Sequence, residues 1–324
     1  MRVVFFGTPS FAAHVLEYLL EHKVNVVAVV SKPDRPKGRS GTCVPTPVKA
    51  VALAQNPPLQ IYQPDIVSAP EMTQIIKSCH ADLFVVVAYG EIIKEHLLDI
   101  PFKGCINLHA SLLPKYRGAA PIQRSIIQGE IETGVTIIYM VKKMDAGDMI
   151  ERVKVSIGPD STFGDLEEAL REAGQRLLLK VLHLFEQGIP EGMPQQGSEA
   201  SFAPKIELKD CEIRWERPAQ ELHNLVRGVN PYPGAWCYIK VLGQRKRLKI
   251  LQTRITPCQK TEPGIVLSAN EIKGNLLIAT GDQALELLDV QLEGKKRMSS
   301  EELTRGLPRK QLSFTLASDQ EGIL

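Results

Sequence analysis

VVFFGTPSFAAHVLEYLLEHKVNVVAVV, residues 3–30, decides the fold class. An unbroken apolar run meets a single glycine. Thr8 and Pro9 then stand where a helix N-cap and first helical position belong, and a helical pattern leads into the β-branched run VNVVAVV. Strand, helix and strand in so short a span form a βαβ unit, in which the helix carries the chain back so that the two strands lie parallel. The alternation continues with a helix from PVKAVALAQ (47–55). DLFVVVA (82–88) and GCINLH (104–109) are apolar at both alternating sets of positions, as strands covered by helices on two faces must be. VTIIYMV (135–141), a strand through MIERVKVSI (149–157) and an amphipathic helix from Thr162 to about Gln187 complete the first half. The expectation is an α/β fold with a doubly wound, mostly parallel, Rossmann-like sheet.

At 324 residues the chain exceeds the size at which one core usually keeps growing, so two domains are expected. GIPEGMPQQGSEASFAPK (188–205) is rich in Gly, Pro, Gln and Ser without periodicity, the composition of an exposed linker. Beyond it YIKVL, RLKILQTRI, GIVLSA, NLLIAT and ALELLDVQL follow one another closely, separated by Gly, Pro or Asn, and predict a small β-barrel, OB-like among the candidates. The expected division is 1–189, a catalytic domain; 190–206, the linker; and 207–324, the barrel.

Hydrophobic residues at 44% and charged residues at 23% are ordinary for a soluble globular protein, and 6% aromatic residues argue against a stacking-rich surface. No run approaches the roughly 20 apolar residues of a membrane span, and the apolar start is shorter than a signal-peptide core, so the chain is expected in the cytoplasm. Six cysteines lie at least 21 positions apart, which leaves no metal or redox spacing and predicts reduced, mostly buried thiols. Residues 1–204 carry 20 Lys and Arg against 22 Asp and Glu, whereas residues 205–324 carry 19 against 15. The basic excess of the second part fits an anionic partner or a solvated surface equally well.

The chemistry-bearing stretch is CINLHASLLPKYRGAAPIQ, 105–123. Asn107 and His109 stand two apart on a strand, so both side chains leave one face near the carboxyl end, where open α/β sheets place ligands. Asn107 can donate to a carbonyl oxygen gaining negative charge, and His109 can donate or carry a proton near neutral pH, a combination suited to acyl transfer to an amine without a covalent nucleophile. Ser111 shares the alternation, but no strand-to-helix elbow presents it as a hydrolase serine. DAGDM (145–149) offers Asp145 and Asp148, either of which could orient His109 or stabilise its imidazolium, and could equally be a turn capping its own backbone. Single Gly7 in GTPSFA lacks the dinucleotide fingerprint and reads as tight strand-to-helix packing. Loop 31–47 carries Lys32, Arg35, Lys37 and Arg39 and is long for a βα connection, which makes it a phosphate-gripping loop or a solvated one. RKRLK (245–249), KKR (295–297) and RK (309–310) are the basic clusters of the last third, with few aromatics interleaved. No metal-ligand spacing is present in the sequence.

With NLHASLLPKYRGAAPIQ, GTPSFA, KPDRPKGR, VVVAYG, MDAGDM, NPYPGAW and IATGD in order, the chain resembles the 10-formyltetrahydrofolate-dependent formyltransferase family from end to end. KPDRPKGR and the basic barrel resemble its tRNA-acting branch. The resemblance implies formyl transfer from 10-formyltetrahydrofolate to the amino group of methionyl initiator tRNA, by a monomer, without a metal. Asn107 and His109 would stabilise the oxyanion while Asp145 holds His109 and assists proton removal. Ser111, Leu112, Leu113 and Pro114 would line the folate site, with Ala88, Tyr89 and Gly90 beside the pterin. Arg35, Lys37 and Arg39 of the loop and Arg245, Lys246, Arg247 and Lys249 of the barrel would meet tRNA. After Arg39 stands SGTC, where the family often continues with lysines, so the loop's grip would rest on those three cations. The nearest alternative is a transformylase acting on a small amine, a purine precursor or sugar nucleotide; a nicotinamide oxidoreductase and a pure RNA-binding protein fit less of the chain.

Overall fold

β1 (Val3–Gly7) is buried at all five positions, which places it inside a sheet covered on both faces. The computed structural model describes residues 1–36, 43–241, 243–270, 274–305 and 313–315. After β1 come α1 (Ser10–Glu21), β2 (Val26–Val30), β3 (Arg35–Pro36), β4 (Cys43–Val44), α2 (Pro47–Leu53), β5 (Gln60–Tyr62), α3 (Pro70–Ser78), β6 (Leu83–Val87), α4 (Glu95–Leu98) and β7 (Cys105–His109). Then follow α5 (Pro121–Ile127), β8 (Glu132–Tyr139), β9 (Met149–Ser156) and α6 (Phe163–Gln187). Helix α1 buries Ala12, Ala13, Val15, Leu16 and Leu19, one stripe at helical spacing. Truncating Leu16 or Leu19 to Ala would cost about 2–5 kcal/mol through reduced burial and the cavity left behind. Thr8 does not cap α1 as expected. The helix begins at Ser10 without a side-chain cap, and the Thr8 hydroxyl instead donates to the Tyr89 carbonyl at 2.8 Å, stitching the ends of β1 and β6 together. Gly7 is a packing glycine: a Cβ there would lie 2.8 Å from Ala12 Cβ.

The strand order is β5-β2-β1-β6-β7-β8-β9. The first five are parallel, and β8 and β9 join antiparallel. Because the chain runs outward from β1 on one side and from β6 on the other, the two strands flank a switch point whose crevice opens at their carboxyl ends. β7 ends on that same edge, and β8 pairs with it so that Asn107 faces Ile138 and His109 faces Thr136.

The chain separates into two compact units, and not by a single cut. One comprises Met1–Pro121, Glu132–Ser156 and Glu167–Ala203; the other comprises Ile122–Ile131, Ile157–Leu166 and Pro204–Leu324. In the second, α7 (Ala219–Gly228) is followed by β10 (Ala235–Val241), β11 (Gln244–Thr256), β12 (Leu276–Ala279), β13 (Ala284–Leu292), β14 (Met298–Ser299), α8 (Ser300–Thr304) and β15 (Ser313–Thr315). The strands form an antiparallel half-barrel ordered β12-β13-β11-β10-β15, with β14 on β13. Leu222, Leu225 and Val226 of α7 pack into its core with Ile239, Leu248, Ile250, Leu285 and Leu287. Asp282, from the IATGD stretch, accepts the Ala219 N–H at 2.8 Å and so satisfies the start of α7. The six cysteines are free; burial raises the thiols of Cys105 and Cys237 well above their ordinary value, and that of Cys211 to about 11.

Candidate active site

Asn107 and His109 occupy alternate positions of β7, so the strand's pleat turns both side chains to one face. His109 is 5% exposed. Its Nε2 lies 2.9 Å from the Tyr116 carbonyl and its Nδ1 3.6 Å from Asp145 Oδ2. The Tyr116 carbonyl only accepts, so Nε2 carries a hydrogen and donates to it, while Nδ1 faces the carboxylate from just beyond hydrogen-bond length. Asp145 Oδ2 also accepts the Gly118 N–H at 2.9 Å, and Oδ1 lies 3.5 Å from Asn107 Nδ2, the long limit of a hydrogen bond. Of the two candidate carboxylates, Asp145 is therefore the one brought to His109. Asp148 is exposed, and its backbone carbonyl accepts the Tyr139 N–H at 2.9 Å.

Holding Asp145 there takes support. Its φ is +50°, a left-handed conformation that costs an ordinary residue roughly 1–2 kcal/mol and that Asp tolerates better than most. Gly147 lets the turn close against β8: a Cβ at that position would stand 1.8 Å from the Tyr139 carbonyl oxygen. Gln195 Nε2 donates to the carbonyls of Asp145 at 2.9 Å and Gly147 at 2.7 Å. Arg117 Nε and Nη2 donate to Gln195 Oε1 at 3.1 and 2.7 Å. The N–H groups of Tyr116 and Arg117 go to the Ser201 hydroxyl and carbonyl, each at 2.9 Å, and Ala203 N–H to the Arg117 carbonyl at 2.7 Å. The 190–206 stretch, expected as an exposed linker, does expose most of its side chains, yet its 193–203 portion is bonded to both arms of the site. Composition registers exposure and is blind to such bonds.

The expected folate residues divide. Ala88 (φ +47°) and Gly90 (φ +86°) are exposed at the sheet edge, with no atom within 4 Å of a Cβ built on Gly90. Tyr89 between them points the other way: it is 2% exposed, its ring packs edge-on against Phe6 at 5.7 Å between centroids, and burial raises its phenol above the ordinary value. Ser111 is fully buried, its hydroxyl donating to the Lys115 carbonyl at 2.6 Å, which removes it as a nucleophile. Leu113 is buried with Ile138 and Met149, and its N–H reaches the Thr136 hydroxyl at 3.2 Å. Pro114 is buried beyond a cis peptide bond, and Leu112 is half-buried. Tyr89, Ser111 and Leu113 thus shape the edge from beneath. Among the described residues no group of three His, Cys, Asp or Glu side chains could hold a metal ion.

A family model described as "Formyl transferase" matches residues 1–182, and one described as "Formyl transferase, C-terminal domain" matches residues 205–308. The chain belongs to the formyl transferase family. A relative named methionyl-tRNA formyltransferase, from Protochlamydia amoebophila (strain UWE25), is 62% identical over 314 residues, 97% of this chain and 98% of that protein. An N-formyltransferase from Helicobacter canadensis, solved with folinic acid and dTDP-3-aminofucose, shares the fold with a TM-score of 0.63 at 20% identity, over 88% of this chain and 98% of that one. HypX from Aquifex aeolicus, solved with tetrahydrofolic acid, gives a TM-score of 0.63 at 19% identity over 94% of this chain; it covers 47% of HypX, so this chain spans about half that length.

In this formyl transferase the second unit carries a cationic face of its own. Along β10, Ala235, Cys237 and Ile239 alternate with Trp236, Tyr238 and Lys240; Trp236 is itself buried and belongs to the core, Tyr238 packs against it, and Lys240 is exposed. Pairing with β11 sets Arg247 opposite Tyr238, Lys249 opposite Trp236 and Arg245 opposite Lys240. The Arg245 guanidinium lies 3.7 Å from the Tyr238 ring centroid and that of Arg247 4.7 Å from Trp236, interactions worth about 0.5–2 kcal/mol each. Few aromatics interleave with these cations along the chain because the rings come from the neighbouring strand. Lys249 donates to the Pro233 carbonyl at 2.9 Å, and Lys246 has the parity of the core residues Leu248 and Ile250. Arg35 is exposed on the β3–β4 ribbon; Lys37 and Arg39 lie outside the described residues. Lys32 of the same loop is tied to Glu91 at 2.6 Å.

Proposed function

We propose that this formyl transferase moves the formyl group of 10-formyltetrahydrofolate onto the amino group of the methionyl residue carried by initiator tRNA, for translation initiation. The observation that carries the reading is the meeting of Asn107, His109 and Asp145 at the carboxyl end of β7. The donor, when bound, supplies an activated formyl carbon, and the exposed sheet edge at Ala88 and Gly90 leaves open space over Gly90. As the amine nitrogen bonds to that carbon, its carbonyl oxygen gains negative charge. Asn107 Nδ2 has two hydrogens and gives one to Asp145, so the other is the donor for that oxygen. The His109 ring, fixed between Tyr116 and Asp145, is held at the same edge as the developing charge. Asp145 Oδ2 is engaged by Gly118 and faces His109, and Oδ1, which accepts only the long Asn107 bond, has a lone pair to take the amine's proton, while the nitrogen that leaves the formyl carbon takes one up. No covalent bond to the protein is needed.

The acceptor assignment rests on the name of the 62% identical relative and on the cationic face, where Arg245, Arg247 and Lys249 would meet phosphates together with Lys246 from the strand's other side and with Arg35, Lys37 and Arg39. One chain supplies every residue named, and we take the monomer as the working unit. The test is transfer of labelled formyl from 10-formyltetrahydrofolate to charged initiator tRNA, to a purine precursor and to an amino-sugar nucleotide in parallel. Transfer to the charged tRNA alone is expected. Faster transfer to either small amine overturns the acceptor assignment in favour of a small-substrate transformylase, and no transfer to any of them overturns the reaction.

A further inference from the structure

We propose that Gln195 is a positioning residue for the transfer: clamped by Arg117, it sets the turn that aims the Asp145 carboxylate. The proposal rests on the role given to Asp145 above. The Gln195 amide uses its whole hydrogen-bonding capacity. Nε2 has two hydrogens and two carbonyls to receive them, those of Asp145 and Gly147, on either side of Ala146. Oε1 takes the two-pronged donation of the Arg117 guanidinium, and a cation on the amide oxygen makes its N–H groups stronger donors. The amide thus grips, by its main chain, the turn in which Asp145 sits at positive φ.

Neither end of the clamp is loose. Arg117 is 5% exposed, and its own N–H and carbonyl are bonded to Ser201 and Ala203. Met193, two residues before Gln195, exchanges both backbone bonds with Met149, each at 2.8 Å. Gln195 is therefore held between anchored points on the two sides of the site. The Arg117 arm carries the Tyr116 carbonyl that receives His109 and the Gly118 N–H that meets Asp145 Oδ2. One amide consequently fixes the distance between the group that accepts from His109 Nε2 and the group facing its Nδ1. A shift of the turn by a fraction of an ångström would lengthen the Asn107 and His109 approaches, which at 3.5 and 3.6 Å are already long.

Gln195→Glu separates aim from strength. A carboxylate still accepts the Arg117 fork, and more strongly, but it offers no hydrogen to either carbonyl and repels both. In the formyl-transfer assay Gln195→Glu is expected to keep its melting temperature and both KM values within about twofold while kcat falls roughly thirtyfold. Gln195→Met, which removes every bond, should lower kcat by a similar factor. Combined with Asp145→Asn, Gln195→Met should add less than about a twofold loss, because the amide acts through that carboxylate. Parental kcat in Gln195→Glu overturns the proposal. Where Gln195→Glu melts early, the cycle decides: losses from Gln195→Met and Asp145→Asn that multiply overturn it, and losses that do not multiply support it. Full activity in Asp145→Asn alone is a different failure, that of the site assignment itself, and it is read without any Gln195 variant.

Discussion

The carboxyl edge of β7 and the cationic face of β10 and β11 carry polar chemistry in opposite ways. At β7 three polar side chains are largely enclosed, and two are pinned by backbone groups: His109 by the Tyr116 carbonyl and Asp145 by the Gly118 N–H, while the Gln195 side chain holds the turn beneath Asp145. On β10 and β11 the half-buried guanidinium groups of Arg245 and Arg247 lie over the Tyr238 and Trp236 rings, which hold their positions. Buried polar groups act in a weakly screened medium, where small displacements are costly, and they suit a reaction whose charge appears at one atom. Charges near solvent are screened and additive, and they suit a long polyanion met at many points. On the proposed reading, the enclosed Asn, His and Asp serve chemistry and the half-buried arginines serve adhesion.

Four measurements would break or sharpen that contrast. The largest effect is expected at the enclosed site, where Asn107→Ala should lower kcat by about a hundredfold or more with the fold and tRNA affinity nearly unchanged, since an oxyanion donor acts in the transition state. His109→Ala should lose as much activity and also about 1–3 kcal/mol of stability, because it leaves the Tyr116 carbonyl and Asp145 without their partner. Near-parental turnover in both variants would remove the site from β7. Next in size is Gly147→Ala, which forces the Asp145 turn off β8 and should reduce kcat by about tenfold to a hundredfold through misplacement alone; a parental rate would show that the turn's position is not critical.

A smaller change is expected on the open face. Arg245→Ala and Arg247→Ala should each weaken tRNA binding several-fold, leave kcat alone and make log affinity less steep in log salt by about 0.7–0.9 for each phosphate the protein no longer neutralises. Salt slopes equal to the parent's in both variants would assign the face to packing rather than to tRNA. The smallest effect concerns an enclosed histidine with no place in the reaction. His223 of α7 is 7% exposed, with Nδ1 2.9 Å from the Thr253 hydroxyl. Burial lowers its proton affinity below the ordinary value; Arg227 adds to this, while the Pro159 carbonyl and Asp160 act against it. The unfolded chain then binds the proton more readily than the folded one. Stability is fully present above the unfolded value of about 6.5 and is lost as pH falls from there through the lower folded value. His223→Gln should flatten the fall in melting temperature between neutral and mildly acidic pH, and an unchanged slope would place that sensitivity elsewhere.

How much was legible follows from the range of the interactions concerned. The βαβ order, the strand placement of Asn107 and His109 and the packing role of Gly7 depend on residues within a few positions of one another, and periodicity reports them directly. Thr8 has the residue type and position of a cap but does not serve as one, because its hydroxyl is claimed by Tyr89, 81 residues away. Tyr89 belongs to a motif at the sheet edge, yet strand alternation turns its ring into the core. Asp145 and Asp148 cannot be told apart from DAGDM, since the difference lies in which one meets a strand 38 residues earlier.

Residue order by itself determined the parallel sheet, the edge at which chemistry would gather and two of its three polar groups, because helix and strand periods and side-chain parity are properties of neighbouring residues. Only the tertiary structure brings the Asp145 carboxylate, which the family resemblance already names, to His109, braces its turn with a Gly- and Pro-rich stretch through Gln195, and sets Trp236 and Tyr238 beneath the arginines of the next strand. Those outcomes depend on hydrogen bonds and ring stacking between segments brought together by burial of the cores, and no local pattern encodes the partner of a group that finds it only after the chain has closed.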